Sequence, residues 1–205
     1  MMKLLIGTNN PSKLQRLKEL LSDVQVICVS PAELGLTCDA PESATSAAGN
    51  ALEKALSWHK VCGIPVYAED SGLVFLDLPR DHVQQPGVHV RRMNGITMDD
   101  DTMREYYRMI AHQHGGKLHS AWQSAHCLLF SETEYVIYED NEDTLWRHSF
   151  LLTDHDNGKR MPGWPLESLK GDHRSFVSDE DKALYWQYLQ DWLCEQIAKR
   201  QQKSI

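Results

Sequence analysis

Apolar positions along this chain come in short blocks, and the period within them switches between strand-like and helix-like. Residues 3–7 are an apolar run that predicts a buried strand, closed by Thr8-Asn9-Asn10-Pro11. Asn10 suits a helix N-cap and Pro11 the first helical position, where its missing N–H costs nothing. Leu14, Leu17, Leu20 and Leu21 then predict a helix with one stripe facing a core. Residues 24–29 predict a second strand and 44–60 a second long helix. On that helix Ala48, Leu52, Ala55 and His59 share one face and Asn50 and Lys54 another. Gly63-Ile64-Pro65 precedes a third strand over 65–68, with Glu69-Asp70-Ser71-Gly72 at its end. Strand, helix, strand, helix, strand is the order of an α/β core with parallel strands.

The pattern is less regular further on. Residues 80–95 predict a loop, and 99–113 a helix whose first turn, Asp99-Asp100-Asp101, suits the helix dipole. Strand-like stretches follow at 125–130, 135–138 and 145–152, then a turn at Asp156-Asn157-Gly158. A last helix over 179–201 places Trp186, Leu189, Leu193 and Ile197 on one face. No repeat, linker or low-complexity tract divides the chain, so a single domain is expected.

Composition adds limits. Hydrophobic residues at 41% and charged residues at 24% are ordinary for a soluble globular protein. A net charge of -8 argues against a nucleic-acid partner. An acidic protein still binds a polyphosphate when a divalent cation and a few lysines neutralise it. Cys28, Cys38, Cys62, Cys127 and Cys194 form no Cys-x-x-Cys pair. Reduced thiols in a cytoplasmic protein are therefore expected, rather than a disulfide framework or a zinc ribbon. The apolar run at the N-terminus is too short for a signal peptide, and no stretch approaches the roughly 20 apolar residues of a membrane span.

Three constellations can carry chemistry. Thr8-Asn9-Asn10-Pro11-Ser12-Lys13 sits at a strand-to-helix turn, where free N–H groups and the helix dipole attract phosphate and Lys13 adds a full charge. Ser12 and Leu14 rule out a P-loop, and a plain capped helix start also accounts for the segment. Glu42 stands in the loop before the second long helix, with Asn50 and Lys54 on one helix face. A loop carboxylate can hold a hard cation and the lysine can reach phosphate oxygen, or both are simply solvated. Glu69 and Asp70 are adjacent carboxylates at the end of an apolar strand, costly if buried without a partner. A shared cation there would explain the like charges and let one carboxylate activate a water. An acidic turn is the plainer reading. His112, His114 and His119 have no acidic or cysteine ligand fixed beside them, and a solvated surface explains them.

Taken in order, Thr8-x-Asn10-x-x-Lys13, Asn50-Ala51-x-x-Lys54-Ala55, Glu69-Asp70-Ser71-Gly72-Leu73 and Pro86-Gly87-Val88 with Arg92 and Gly95 resemble the inosine triphosphate pyrophosphatase family. Its members read T-G-N-x-x-K, E-N-A-x-x-K-A, A-D-D-S-G-L and A-P-G-x-x-S-A-R-x-x-G at nearly the same separations. The resemblance is strong over residues 3–95, faint at His126-Cys127 and poor beyond residue 131. It implies an α/β fold with a long mixed sheet flanked by helices and two lobes around a nucleotide cleft. Residues 1–95 would mainly serve phosphate and metal, and 118–205 base recognition and dimer contacts. The implied activity is magnesium-dependent hydrolysis of a nucleoside triphosphate to a monophosphate and pyrophosphate by a homodimer, with manganese as the alternative metal. Carried across by position, Asp70, Lys54 and Lys13 would be catalytic. Glu42, Asp70 and Glu69 would hold the metal. Thr8, Asn10, Lys13, Asn50, Lys54, Ser71, Gly72, Arg92 and Lys182 would bind substrate.

The departures lie mostly in the half that reads the base. Gly49 stands at the Glu of E-N-A, and Glu69 at the first Asp of D-D-S-G, one methylene longer. The base-stacking G-F-G-Y-D-P has no counterpart; the nearest text is Pro162-Gly163-Trp164-Pro165-Leu166, and Gln187 and Tyr188 replace the His and Arg of S-H-R. Trp164 or Trp186 could stack a different base, or both could be core residues. Two rivals follow from these changes: a catalytically silent nucleotide-binding protein on the same fold, and a hydrolase of another phosphoanhydride.

Overall fold

The computed structural model describes residues 2–93, 96–171 and 178–202, without the side chains of Pro11, Ser12, Met93 and Lys182. Gly95 of the family resemblance lies outside them. In chain order the elements are β1 (Met2–Ile6), α1 (Pro11–Leu20), β2 (Val26–Val29), α2 (Ala47–Cys62), β3 (Val66–Phe75), β4 (Arg92–Met93), β5 (Ile96–Thr97), α3 (Asp100–Gln113), β6 (Lys117–Ser131), β7 (Glu134–Glu139), α4 (Glu142–Arg147), β8 (Phe150–Thr153) and α5 (Asp179–Gln202). Short 3-10 turns occupy Ala32–Leu34 and Pro165–Leu169. The main sheet has the order β2-β1-β3-β6-β7, with β8 also paired to β6. None of the described helices is long and apolar enough to cross a membrane.

The chain divides into two compact units, Met1–Ser71 with Ser124–Asp140 and Ala183–Ile205, and Gly72–Gln123 with Asn141–Lys182. In the first unit β1 runs parallel to both neighbours, Leu4 opposite Cys28 and Leu5 opposite Val66. The helix between each pair of strands supplies the crossover that parallel strands need. β6 pairs antiparallel with β7, His126 opposite Tyr138, so the sheet is mixed. Leu17 of α1, Leu21 just after it, and Leu189, Leu193 and Ile197 of α5 bury themselves against Leu4, Ile6, Tyr67 and Leu128 of the strands. Trp186 packs at the edge of that core. In the second unit β8 pairs antiparallel with the start of β6, Leu118 opposite Leu152. Met103, Tyr107, Ile110 and Ala111 of α3 close a core there with Leu73, Phe75, Phe150 and Leu169.

Capping fixes where the helices begin. Asn10 Oδ1 accepts from Lys13 N–H (3.3 Å), and Ser46 Oγ from Gly49 N–H (3.1 Å). Asp99 Oδ1 accepts from Thr102 N–H at 2.7 Å. The Ser46 cap starts α2 at residue 47 rather than 44, and its buried stripe is Ala47, Ala51, Ala55 and Trp58, with Asn50 also buried. Of the residues read as sharing one face, Ala55 is buried, while Ala48, Leu52 and His59 are half-buried.

The strands differ more from expectation. The third strand does not stop at residue 68: β3 runs straight through Glu69-Asp70-Ser71-Gly72 to Phe75, buried on both faces except at Ser71. The stretch over 145–152 is not one strand either. Asn141 and Thr144 form a reciprocal capping box that starts α4, so Leu145 is helical and only Phe150–Thr153 is strand. The residues expected as a strand over 125–130 are the end of the much longer β6.

Gly72 and Gly87 explain why two of the sequence motifs go together. Leu73 and Gly87 exchange both backbone hydrogen bonds, at 2.9 and 3.0 Å. A Cβ on Gly72 would lie 2.6 Å from the Gly87 carbonyl carbon and oxygen. Only a hydrogen fits between these chains.

Candidate functional site

Successive side chains of a strand leave on opposite faces. Glu69 and Asp70 are neighbours on β3, so their side chains reach different surroundings. Glu69 points with Tyr67 toward α1, and Asp70 toward α2. Each carboxylate finds its own positive partners.

The Glu69 side chain is 6% exposed, and its Oε1 lies 3.0 Å from Lys13 Nζ and 2.7 Å from Arg16. Arg16 donates to both carboxylate oxygens (2.7 and 3.0 Å) and lies 5.1 Å over the Trp186 ring. Behind the carboxylate, His126 Nδ1 is 3.9 Å from Oε2 and 2.5 Å from the Tyr67 hydroxyl. Burial would raise the Glu69 carboxyl, but Lys13 and Arg16 outweigh it and hold it down at about 2. Burial pushes the His126 imidazole down, toward its neutral form.

Asp70 is organised from α2, where Asn50 and Lys54 stand one turn apart on one face. Asn50 Nδ2 donates to Asp70 Oδ2 at 3.0 Å, and Lys54 Nζ to Oδ1 at 2.6 Å. The same ammonium is 2.7 Å from Glu42 Oε1 and donates at 3.5 Å to the Glu69 carbonyl. Burial alone would lower the lysine, yet the hydrogen bonds to Asp70 and then Glu42 raise it above its usual value. A fully ionised lysine therefore bridges two carboxylates. Among the described residues no three His, Cys, Asp or Glu side chains form a metal-ligand group, and here the ammonium itself stands between Glu42 and Asp70.

Thr8, Asn10, Lys13, Glu42, Lys54 and Glu69, among others, line a cleft of about 350 Å³ in the first unit, and Asp70 lies buried behind that lining, bonded to Lys54. The structure thus brings Lys13, Glu42, Lys54 and Asp70 together, although they are far apart along the chain. Thr8 and Asn10 join them from the β1–α1 turn, while Ser71 sits half-buried farther along β3. Gly72 belongs to the second unit, as does Arg92, which is exposed on β4. The Lys182 side chain lies outside the described residues.

Sequence reasoning missed three residues. Arg16 is the principal partner of Glu69; its only signal was its place one helical turn after Lys13. Asp39 and Trp58 also line the cleft, one from an irregular loop and one as the last apolar residue of the α2 stripe. Trp186, considered as a base platform, is covered by the Arg16 guanidinium. Of the three histidines read as solvated, His112 is exposed and pairs with Asp154 at 2.8 Å, while His119 is half-buried against Asp77 (3.0 Å) and His114 half-buried against Gln84 (2.8 Å).

The sequence model of the Ham1 family matches residues 4–144. The chain belongs to the Ham1 family. Among relatives of this Ham1-family chain, the dITP/XTP pyrophosphatase of Porphyromonas gingivalis is 42% identical over 101 residues, 49% of this chain and 50% of the relative. That of Legionella pneumophila is 34% identical over 101 residues, 49% and 48% of the two chains. The chain spans about half the length of the curated relatives it matches. Solved structures share the fold across nearly the whole chain. A HAM1 protein from Coxiella burnetii superposes with a TM-score of 0.68 at 18% identity, covering 95% of this chain and all (100%) of that one. The Staphylococcus aureus Ham1 protein gives 0.65 at 19% identity, covering 93% and 97%.

Proposed function

We propose that this chain hydrolyses a nucleoside triphosphate between its α and β phosphates, releasing a nucleoside monophosphate and pyrophosphate. The observation that carries this reading is the Lys54 ammonium held between Glu42 (2.7 Å) and Asp70 (2.6 Å) beside a cleft that Lys13 also lines. The matched relatives are named dITP/XTP pyrophosphatases, which supports the same chemistry.

The residues divide the work by charge. Lys13, Lys54 and the positive end of the α1 dipole receive phosphate oxygens of a ligand that brings about four negative charges. Glu42 and Asp70 are hard oxygen donors already converging on one cation, which is the donor chemistry that suits magnesium, with manganese as the alternative. Magnesium bound by them would neutralise part of the polyphosphate charge and polarise the phosphoryl group. Lys54 then exchanges its carboxylate partners for phosphate oxygen. Asp70, oriented by Asn50, accepts a proton from the attacking water. The water oxygen bonds to the α phosphorus, the bond to the bridging oxygen breaks, and pyrophosphate departs with that oxygen. Glu69 holds Lys13 in place and already carries two cations, so we assign the metal to Glu42 and Asp70 without it. A homodimer and a cytoplasmic location complete the reading.

A panel of nucleoside triphosphates, standard ones with dITP and XTP, incubated with magnesium and read by a pyrophosphate-coupled assay tests it. Pyrophosphate from at least one member is expected; orthophosphate alone, or no product, contradicts it. One observation favours a silent nucleotide-binding protein as the second reading. A Cβ at Gly49, where the family pattern has Glu, would lie 2.5 Å from the Ala44 Cβ, so the adjoining loop is built around a missing side chain. Calorimetric binding without product would select that reading.

A further inference from the structure

The Glu42 carboxylate is 45% exposed on an irregular segment, and a metal ligand in such a place needs something to hold it. The segment is fastened immediately after Glu42. Glu53, on α2, accepts from the Ser43 backbone N–H at 2.9 Å through Oε2 and from the Ser43 hydroxyl at 2.9 Å through Oε1. Ala44 N–H then donates to Asn50 Oδ1 at 3.0 Å, while the other end of that amide holds Asp70. Ala44 also packs over Gly49, so closely that a side chain there would displace it. Residues 43 and 44 thus lie flat on the first turns of α2, with Glu42 at the end of the fastened stretch.

We propose that Glu53 is a positioning residue for Glu42, clasping Ser43 so that the Glu42 carboxylate stays within reach of a cation it shares with Asp70. The inference rests on the reading of Glu42 and Asp70 as the metal pair. Position 53 follows Gly49 by one helical turn on the same face, so this chain anchors the loop with a carboxylate at 53 and leaves 49 bare for Ala44. A carboxylate suits the task because its two oxygens can take an N–H and an O–H at once. Glu53 itself is not among the residues lining the cleft.

The test uses the full chain and manganese ion as the probe, followed by electron paramagnetic resonance. Glu53→Ala should weaken manganese binding about tenfold, the lower end of the range for groups that orient metal ligands. Glu53→Gln, which can accept the N–H and donate to the hydroxyl, should restore affinity to within about threefold of the parent. Combined with Glu42→Gln, Glu53→Ala should add no further loss, because it acts only through Glu42. Hydrogen exchange gives a metal-free readout: the Ser43 amide should lose protection in Glu53→Ala and keep it in Glu53→Gln. Unchanged manganese affinity, losses that multiply in the double variant, or no manganese binding by the parent would each overturn the proposal. Should Glu53→Ala fail to fold by circular dichroism, Ser43→Ala removes one of the two bonds and should give a smaller loss of the same kind; no loss overturns it. A parent whose manganese affinity depends on Glu42 and, through it, on Glu53, but which releases no pyrophosphate, would defeat the activity and leave this inference standing. Turnover with unaltered manganese binding in Glu53→Ala would do the reverse.

Discussion

Lys54 is the residue on which both faces of the chemistry meet. Its ammonium pairs with Glu42 and Asp70 at once, and those are the groups that a metal and an attacking water would need. Asp70→Asn removes the proton acceptor while keeping shape and the Asn50 contact. Turnover is expected to fall about 100-fold or more, with an unchanged circular dichroism spectrum; unaltered turnover would refute the role. Lys13→Ala should instead raise KM about tenfold and change kcat less, since a phosphate contact acts mostly in binding. Steady-state kinetics on the preferred triphosphate separate the two. Lys13, Glu42, Lys54 and Asp70 were legible because their order and gaps match a family pattern, not because any one of them was unusual. Arg16 was not legible, since an arginine one turn along a charged helix looks like any solvated side chain. The opposite directions of Glu69 and Asp70 were hidden by reading the strand as finished at residue 68.

β3 is the element that makes the arrangement possible. Its carboxylates break the usual apolar rule for a central strand, and helices on its two faces supply the compensation. Sequence alone read the acidic pair as a strand end because a polar run after an apolar one normally is. The compensating lysines and arginine come from other elements and leave no local trace. Two predictions belong here. Gly72→Ala would press a methyl into the Gly87 backbone and should destabilise the protein by about 1–3 kcal/mol, seen as a lowered Tm; an unshifted Tm would contradict the close approach. Glu69 is ionised in the fold down to about pH 2 but protonates near 4.5 when unfolded. Its contribution is therefore full above about pH 4.5 and lost as pH falls toward about 2. Urea melts should show parent stability falling more steeply than that of Glu69→Gln between pH 5 and 2; equal slopes would contradict this. α1 and α3 were the easiest elements to read, because Asn10 and Asp99 mark their starts in sequence and cap them in the structure.

Across the whole molecule, the mixed α/β class was readable from the first 70 residues, where strand and helix alternate and β1 pairs in parallel on both sides. The later half was harder: a fifteen-residue strand, a capping-box helix and a short return strand do not separate by periodicity. The base-reading motifs of the family pattern have no counterpart in this chain, so the sequence implied residues for a phosphate site but none for a base. One core of the first unit is nevertheless simple enough to predict. Leu193→Ala, fully buried against β1, β3 and α1 residues, should cost about 2–5 kcal/mol in a denaturant melt. The central claim concerns which bond this cleft breaks, and phosphorus NMR of the reaction with magnesium and the preferred triphosphate reads it directly. Monophosphate and pyrophosphate appearing together in equal amounts is the predicted spectrum. Diphosphate with orthophosphate, or an unchanged triphosphate, would contradict it.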